Sequence, residues 1–309
     1  MDKESSYNLY LLQNVRFSHE PSGIVFQSDD RYRYLYSANG IFHHFRVCGK
    51  TVLADSKKKT ALAYVIPRKG SKNYYHSLVD IIPSIYGYSM LGLDCDLVVS
   101  HELSPIEKYF IDQLGINREK IIDTRVQNIE IEKAIVPHAS TFRQTFFSYC
   151  RNVAQRIKSD ATSIIGCSEE SNNNRFLYIS RSRSCNRPMI NEKEVERLLA
   201  SIGFRIVHME DIDLVSQIKI ANEANFIVGA HGAGLANLVF SSSECRILEL
   251  IPRKYLTPLF CQLASDCGVE YDVLIGDMIG EHIGNQVDFK WSIDIEKLEN
   301  AIGKLLSMT

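Results

Sequence analysis

The hydrophobic pattern changes rhythm near residue 61. Upstream, short alternating runs such as Val15-Arg16-Phe17 and Ile24-Val25-Phe26 read as short strands joined by turns, because alternation puts every second side chain on one face of a pleated strand. From Ala61 to Ile66 the chain is continuously apolar, as in a strand covered on both faces. A helical stretch follows from about Tyr74 to Leu91. Then come a strand at Asp96–Val99, a helix from about Pro105 to Leu114, strands at Lys120–Ile122 and Ala134–Val136, and a long helix from about Phe142 to Ile165.

Ser168 to Asn174 (SEESNNN) contains no apolar residue and reads as a linker. Beyond it the alternation is cleaner. Strands are predicted at Phe176–Ile179, Phe204–Val207, Phe226–Val228, Arg246–Leu250 and Glu270–Leu274. Helices are predicted near Asn191–Ile202, Leu214–Glu223, Leu256–Cys267 and Ile295–Leu306, with a glycine-rich turn running into a further helix after Val228. Strands alternating with helices imply βαβ units and parallel sheets. The predicted fold is therefore α/β, with two Rossmann-like domains facing each other across a cleft. Residues 1–167 form the first and 175–309 the second, the last helix being free to pack back onto the first. In open sheets of this kind ligands bind at the carboxyl ends of the strands.

Composition narrows the function classes. A chain of 309 residues, 45% hydrophobic and 23% charged, is long enough for two ordinary cores and excludes disorder as the dominant state. Its net charge of −2 excludes a generally basic nucleic-acid binder. The eight cysteines are scattered with no C-x-x-C pair, the usage of reduced thiols in a cytosolic protein. The opening MDKESSYNLY lacks the basic and apolar regions of a secretory signal. The least polar stretch, Ala224–Phe240, carries Asn225, His231, Asn237 and glycines and falls short of the ~20 residues of a membrane span. A cytoplasmic protein is expected, with a peripheral membrane contact left open.

The most informative segment is Phe226-Ile-Val-Gly-Ala-His-Gly-Ala-Gly-Leu-Ala-Asn. An apolar strand runs directly into Gly229, His231, Gly232, Ala233 and Gly234. Glycines at a strand-to-helix turn let backbone approach a ligand and leave helix N-terminal amides for an anion. The spacing is neither a dinucleotide fingerprint nor a Walker loop. A tight turn with close helix–sheet packing is the structural alternative, and His231 tips the balance because an imidazole among glycines has no evident packing role. Glu249, in Arg246-Ile-Leu-Glu-Leu-Ile-Pro, is a carboxylate in an apolar strand and costly to bury unpaired. It reads as an acceptor for two vicinal hydroxyls of a ribose, or as half of a salt bridge with Arg or Lys. Past the Phe176 strand come Arg181, Arg183 and Arg187, on the ligand side of a parallel sheet and suited to phosphate, or else a solvated basic loop. His76 and Asp80 in Asn73-Tyr-Tyr-His-Ser-Leu-Val-Asp-Ile-Ile-Pro share one helix face, as a general base with its orienting carboxylate or as polar residues at a helix start. Asp94-Cys-Asp96 and Asp211-Ile-Asp213 match D-x-D. The first precedes a strand instead of following one, and the second reads as helix caps, so no metal site is predicted.

Tyr178-Ile-Ser-Arg181 with Arg187, Gly229-Ala-His-Gly-Ala-Gly-Leu-Ala-Asn237, Leu248-Glu249-Leu-Ile-Pro252 and Asn73-Tyr-Tyr-His76 with Asp80 and Pro83 together resemble glycosyltransferase family 61. The likeness is dense from about residue 175 to 252 and local around 73 to 83. Bacterial relatives often carry Arg where this chain has Ser84. The resemblance implies a GT-B fold, inversion at the anomeric carbon, a nucleotide-sugar co-substrate (usually UDP-linked) and no obligatory metal or other cofactor. It implies a glycan or lipid-linked glycan acceptor in surface-polysaccharide synthesis, at the inner face of the membrane. On this reading His76 and Asp80 supply the base, and Arg181, Arg187, His231, Gly232, Ala233, Gly234 and Glu249 hold the donor. A GT-B-like module that only grips a nucleotide or glycan is the rival, and a two-domain nucleotide-sugar epimerase a second.

Overall fold

Strands β1 (Leu9–Glu20), β2 (Gly23–Ser28), β3 (Arg31–Leu35), β4 (Phe42–His43), β5 (Lys58–Val65), β6 (Asp96–Val99), β7 (Ile121–Asp123) and β8 (Ile129–Pro137) form one sheet in the order β4-β3-β2-β1-β8-β5-β6-β7. The computed structural model describes residues 9–20, 23–28, 31–35, 42–43, 58–66, 73–126, 128–137, 156, 159, 175–280 and 289–307. The chain divides into two units, Met1–Val153 and Ala154–Thr309. The long helix expected at 142–165, apart from residues 156 and 159, and the linker at 168–174 lie outside the described residues.

The first unit is only partly Rossmann-like. β8, β5, β6 and β7 pair in parallel, as the alternation of strands and helices predicts. β1 then adds antiparallel to β8, and β2, β3 and β4 follow as an antiparallel meander. The alternating runs lie on two strands, Val15–Phe17 on β1 and Ile24–Phe26 on β2, and β1 is longer than its run suggests. β1 runs through Gln13 because both of its edges are paired, Gln13 with Lys133 of β8 and Arg16 with Gln27 of β2. Of the apolar run Ala61–Ile66, Ala63 to Ile66 are buried on both faces, whereas Ala61 is exposed and Leu62 half-buried. Ala63 and Val65 pack with Val98, Ile122 and Ile131 on one side, while Tyr64 and Ile66 pack with Ile81, Ile85, Leu97 and Ile111 on the other.

The helix predicted after β5 is present but not uniform. It starts as Tyr74–His76, passes through a π turn at Ser77–Ile81, and continues as Ile82–Leu91. Asn73 caps its start by accepting from the Tyr75 amide at 3.0 Å. Gly92, with φ 60°, ends it in the left-handed conformation that glycine adopts freely.

The second unit holds β9 (Phe176–Ile179), β10 (Arg205–Val207), β11 (Phe226–Ala230), β12 (Arg246–Pro252), β13 (Glu270–Ile279) and β14 (Lys290–Ser292), in the order β10-β9-β11-β12-β13-β14. The first five strands are parallel and β14 closes the edge antiparallel. This is the doubly wound 2-1-3-4-5 order, whose chain reverses direction between its first and third strands. Here that switch point lies between β9 and β11. The closing helix Ile295–Ser307 buries Leu298 and Ile302 in this unit's own core, with Tyr178, Phe226, Leu248 and Trp291. Among the described residues no helix is long and apolar enough to cross a membrane.

Candidate active site

The loop after β9 and the turn after β11 leave the sheet at the switch point, and the residues predicted to hold the donor meet there. Arg181 follows β9 and lies across the turn. Its Nη1 donates to the His231 carbonyl and its Nη2 to Ser184 Oγ at 3.0 Å. Glycine at 232 allows this approach, because a Cβ there would sit 2.5 Å from Arg181 Cδ and Nε and would displace the guanidinium. Gly229 and Gly234 serve packing instead. A Cβ on Gly229 would meet Leu235 Cδ1 at 2.9 Å, and one on Gly234 would meet Ile179 Cγ2 at 3.1 Å. The segment after the turn, Ala233–Phe240, is a 3-10 helix and not the α-helix expected. It buries Leu235 through Phe240, and the fully buried Asn237 donates to the Gly234 carbonyl at 2.9 Å.

His231 extends β11 by one residue, its amide donating to the Leu250 carbonyl at 2.9 Å. Its ring is buried, which corrects the expectation that it has no packing partner. The rings of Tyr255 and Phe260 meet it edge-on at 5.1 Å and 5.2 Å. Nδ1 lies 2.5 Å from Glu249 Oε1, and Glu249 Oε2 accepts from the Tyr271 hydroxyl. Tyr271 is placed by strand register. It pairs with Ile247 on β12, diagonal to Glu249 on the same face. Burial, reinforced by the Glu249 charge, pushes the Tyr271 phenol up, so it stays a donor. Glu249 is fully buried with both oxygens engaged. It faces His231, where the sequence reading had it meeting ribose hydroxyls or an Arg or Lys.

Arg187 completes the constellation. It is the only non-glycine residue at positive φ among the described residues, at 52°, a conformation that costs of order 1–3 kcal/mol and is retained where surroundings impose it. The imposing contacts are visible. Trp291 Nε1 donates to the Arg187 carbonyl at 2.9 Å, and the guanidinium lies 4.5 Å above the Tyr255 ring. Its Nε is buried without a hydrogen-bond partner among the described residues. Burial, and then the nearby charge of Arg187, pull the Arg181 guanidinium below its ordinary value. Neither arginine makes an ion pair with a carboxylate among the described residues. Two neighbouring guanidiniums in this state are suited to an anion with several oxygens. Arg183 is not part of the group, because it pairs with Asp211 at 2.5 Å. Asp213 is a helix cap, its Oδ1 accepting from the Ser216 amide at 3.0 Å. Among the described residues no group of three or more His, Cys, Asp or Glu is placed to hold a metal ion.

Sequence reasoning missed the carboxylate beneath the Arg181 loop. Glu192 Oε1 accepts from the Arg181 amide at 2.5 Å, the Tyr178 hydroxyl at 3.0 Å and the Ser180 hydroxyl at 3.3 Å. Burial raises its pKa despite these bonds. The signal that could have found it is helical periodicity, because Glu192 lies three and seven residues before the buried Val195 and Leu199 on the inward face, whereas Glu194 is exposed.

In the first unit His76 Nδ1 and Asp80 Oδ2 are 2.9 Å apart, as the spacing predicts. Both are partly exposed. The Ser84 hydroxyl donates to the Asp80 carbonyl at 3.0 Å, so Ser84 is tied to the helix backbone here.

Comparison with known proteins places the chain. The profile described as Glycosyltransferase 61 matches residues 74–248, more than half of its length. The chain belongs to glycosyltransferase family 61. Curated relatives come from plants. An α-1,3-arabinosyltransferase of Oryza sativa subsp. japonica is 32% identical over 82 residues, covering 25% of this chain and 14% of the relative. A β-1,2-xylosyltransferase of the same organism is 29% identical over 100 residues, covering 32% and 17%. A β-1,2-xylosyltransferase of Arabidopsis thaliana is 30% identical over 78 residues, covering 25% and 15%. The matched segment thus spans under a fifth of these relatives' own length.

Proposed function

We propose that this family 61 member is an inverting glycosyltransferase of the GT-B type, independent of metal. It moves a sugar from a UDP-sugar to a glycan or lipid-linked glycan acceptor in surface-polysaccharide synthesis at the cytoplasmic side of a membrane. The observation that carries the reading is the pair Arg181 and Arg187, neither ion-paired with a carboxylate among the described residues, with Arg181 set against the Gly232 turn at the switch point of the second sheet. This is a cationic donor set for a diphosphate.

Inverting transfer is a single displacement. A base takes the proton of an acceptor hydroxyl, its oxygen bonds to C1 of the sugar, and the C1–oxygen bond to the diphosphate breaks. Charge grows on the departing diphosphate, and fixed donors there are worth about 3 to 4 kcal/mol each. Arg181 and Arg187 supply two. His231 supplies a third as the imidazolium, giving Nδ1–H to Glu249 and Nε2–H to the diphosphate. Glu249 acts through His231, held in turn by Tyr271. His76 is the base and Asp80 its orienting carboxylate, bonded through Nδ1 so that Nε2 is the nitrogen for the acceptor. The xylosyl and arabinosyl transfers in the relatives' names favour a pentose donor.

Calorimetry with UDP, GDP, CDP and TDP, followed by UDP release from a panel of UDP-sugars with and without oligosaccharide acceptors, tests the reading. UDP is expected to bind best, and a UDP-pentose to turn over fastest. Turnover abolished by chelator and restored by manganese would overturn metal independence. UDP binding without turnover of any UDP-sugar would leave a nucleotide-binding module, and an isomerised nucleotide sugar would identify an epimerase.

A further inference from the structure

A third histidine–carboxylate pair lies behind the first. His101 follows β6 at the carboxyl edge of the first sheet, and its Nε2 is 2.9 Å from Glu107 Oε2. Both side chains are buried, at 4% and 0% exposure. Glu107 is also the third residue of a capping box. Its Oε2 accepts from the Ser104 amide at 2.9 Å, and Ser104 Oγ caps the Glu107 amide in return. A capping box needs neither burial nor a histidine, and both are present. The other carboxylate oxygen leaves the box altogether. Glu107 Oε1 accepts from Ser77 Oγ at 2.6 Å, and Ser77 Oγ is 3.2 Å from Ser104 Oγ. Burial pushes the Glu107 carboxyl up, but His101 and the bonds from Ser77 and Ser104 outweigh it and hold the group below its ordinary range. It is therefore a charged anchor at neutral pH.

Ser77 follows His76 directly and opens the π turn Ser77–Ile81, with the Ile82 amide bonded back to the Ser77 carbonyl. A π turn inside an α-helix is a strained insertion that recurs at functional sites. The π turn occupies the stretch from His76 to Asp80, so the angle at which Asp80 meets His76 is set by how that turn is held. We infer that Glu107 is a positioning residue for the reaction: through Ser77 it pins the π turn that holds Asp80 against His76, and His101 keeps it charged and in place. This rests on the reading of His76 and Asp80 as the base.

Ser77→Ala cuts this tie and the Ser77–Ser104 hydroxyl contact, leaving the bonds between Ser104 and Glu107 and the His101 pair in place. UDP release from UDP-xylose is expected to fall about tenfold in kcat with KM unchanged, and UDP affinity by calorimetry to match wild type. The pH profile of kcat should shift as well. In a His76→Ala background the same change should cost nothing further, because the group it positions is gone. If Ser77→Ala does not fold, Glu107→Gln, which keeps a capping-box side chain, takes its place with the same expectation. A folded variant within twofold of wild-type kcat, or one losing UDP affinity and kcat together, overturns the inference. Full activity of His76→Ala overturns the base reading instead, so the two failures are told apart.

Discussion

Two histidine–carboxylate pairs carry the proposed chemistry, and they are built in opposite ways. His76 and Asp80 are 35% and 23% exposed, whereas His231 and Glu249 are 6% and 0% exposed. The first is local, two residues on one helix. The second joins the end of β11 to the middle of β12 and is backed by Tyr271 on β13. Exposure suits a pair that must exchange protons with an acceptor hydroxyl and with water. Burial suits a pair that must fix one ring orientation and not move. Separating the partners should therefore affect turnover in the first pair and stability in the second.

The largest effect is expected from His76→Ala or Asp80→Ala. Loss of a general base typically costs 10²–10⁴-fold, so UDP release should fall within that range. Stability should change by about 1 kcal/mol or less, since the pair is partly solvated. A melting temperature that collapses with activity would erase the contrast. Glu249→Ala should do the reverse. Breaking a buried pair costs about 3 to 5 kcal/mol, so its thermal or urea transition should move sharply toward unfolding; an unchanged transition would show that Glu249 is not a fixed anchor. Arg181→Ala and Arg187→Ala should each weaken UDP binding by roughly 10- to 100-fold, the worth of a charged hydrogen bond, with little change in the transition. Equal affinity in calorimetry would remove the anion site.

A smaller effect belongs to pH. Burial holds the folded Glu192 carboxyl above its ordinary value. The native state therefore binds that proton more tightly than the unfolded chain, and stability falls as pH rises from ~4.3, the unfolded value, through the folded one. Glu192→Gln should flatten this decline in melting temperature against pH; an unaltered slope would assign the decline to other groups. The smallest expected signal is optical. Trp291 is the chain's only tryptophan and donates to the Arg187 carbonyl. UDP should change its emission, and Arg187→Ala should abolish the change.

Much of this was legible before the fold. The parallel strands of both sheets fall near their predicted positions because a segment covered on both faces needs an unbroken apolar run, as at Ala63–Ile66 and Phe226–Val228. His76 and Asp80 were readable because helical spacing puts i and i+4 on one face; the π turn between them and its tie to Glu107 were not. Short strands joined by turns were readable in the first 60 residues, but the lengths of β1–β4 and their antiparallel pairing were not, because these depend on distant edges such as Lys133 against Gln13. Glu192, Tyr271 and Glu107 were missed because each gains its role from partners 11 to 30 residues away.

The amino-acid order alone determined the alternation that builds two sheets, the glycines at the β11 turn, and a base candidate on one helix face. These depend on local periodicity and on backbone freedom, which a short segment carries within itself. Tertiary structure decided that Arg181 lies against Gly232, that Arg187 is forced to positive φ beneath Trp291, and that Glu249 serves His231 instead of facing solvent. Such matters turn on which groups lose their water and which partner replaces it, and that is settled only when strands remote in the chain lie side by side.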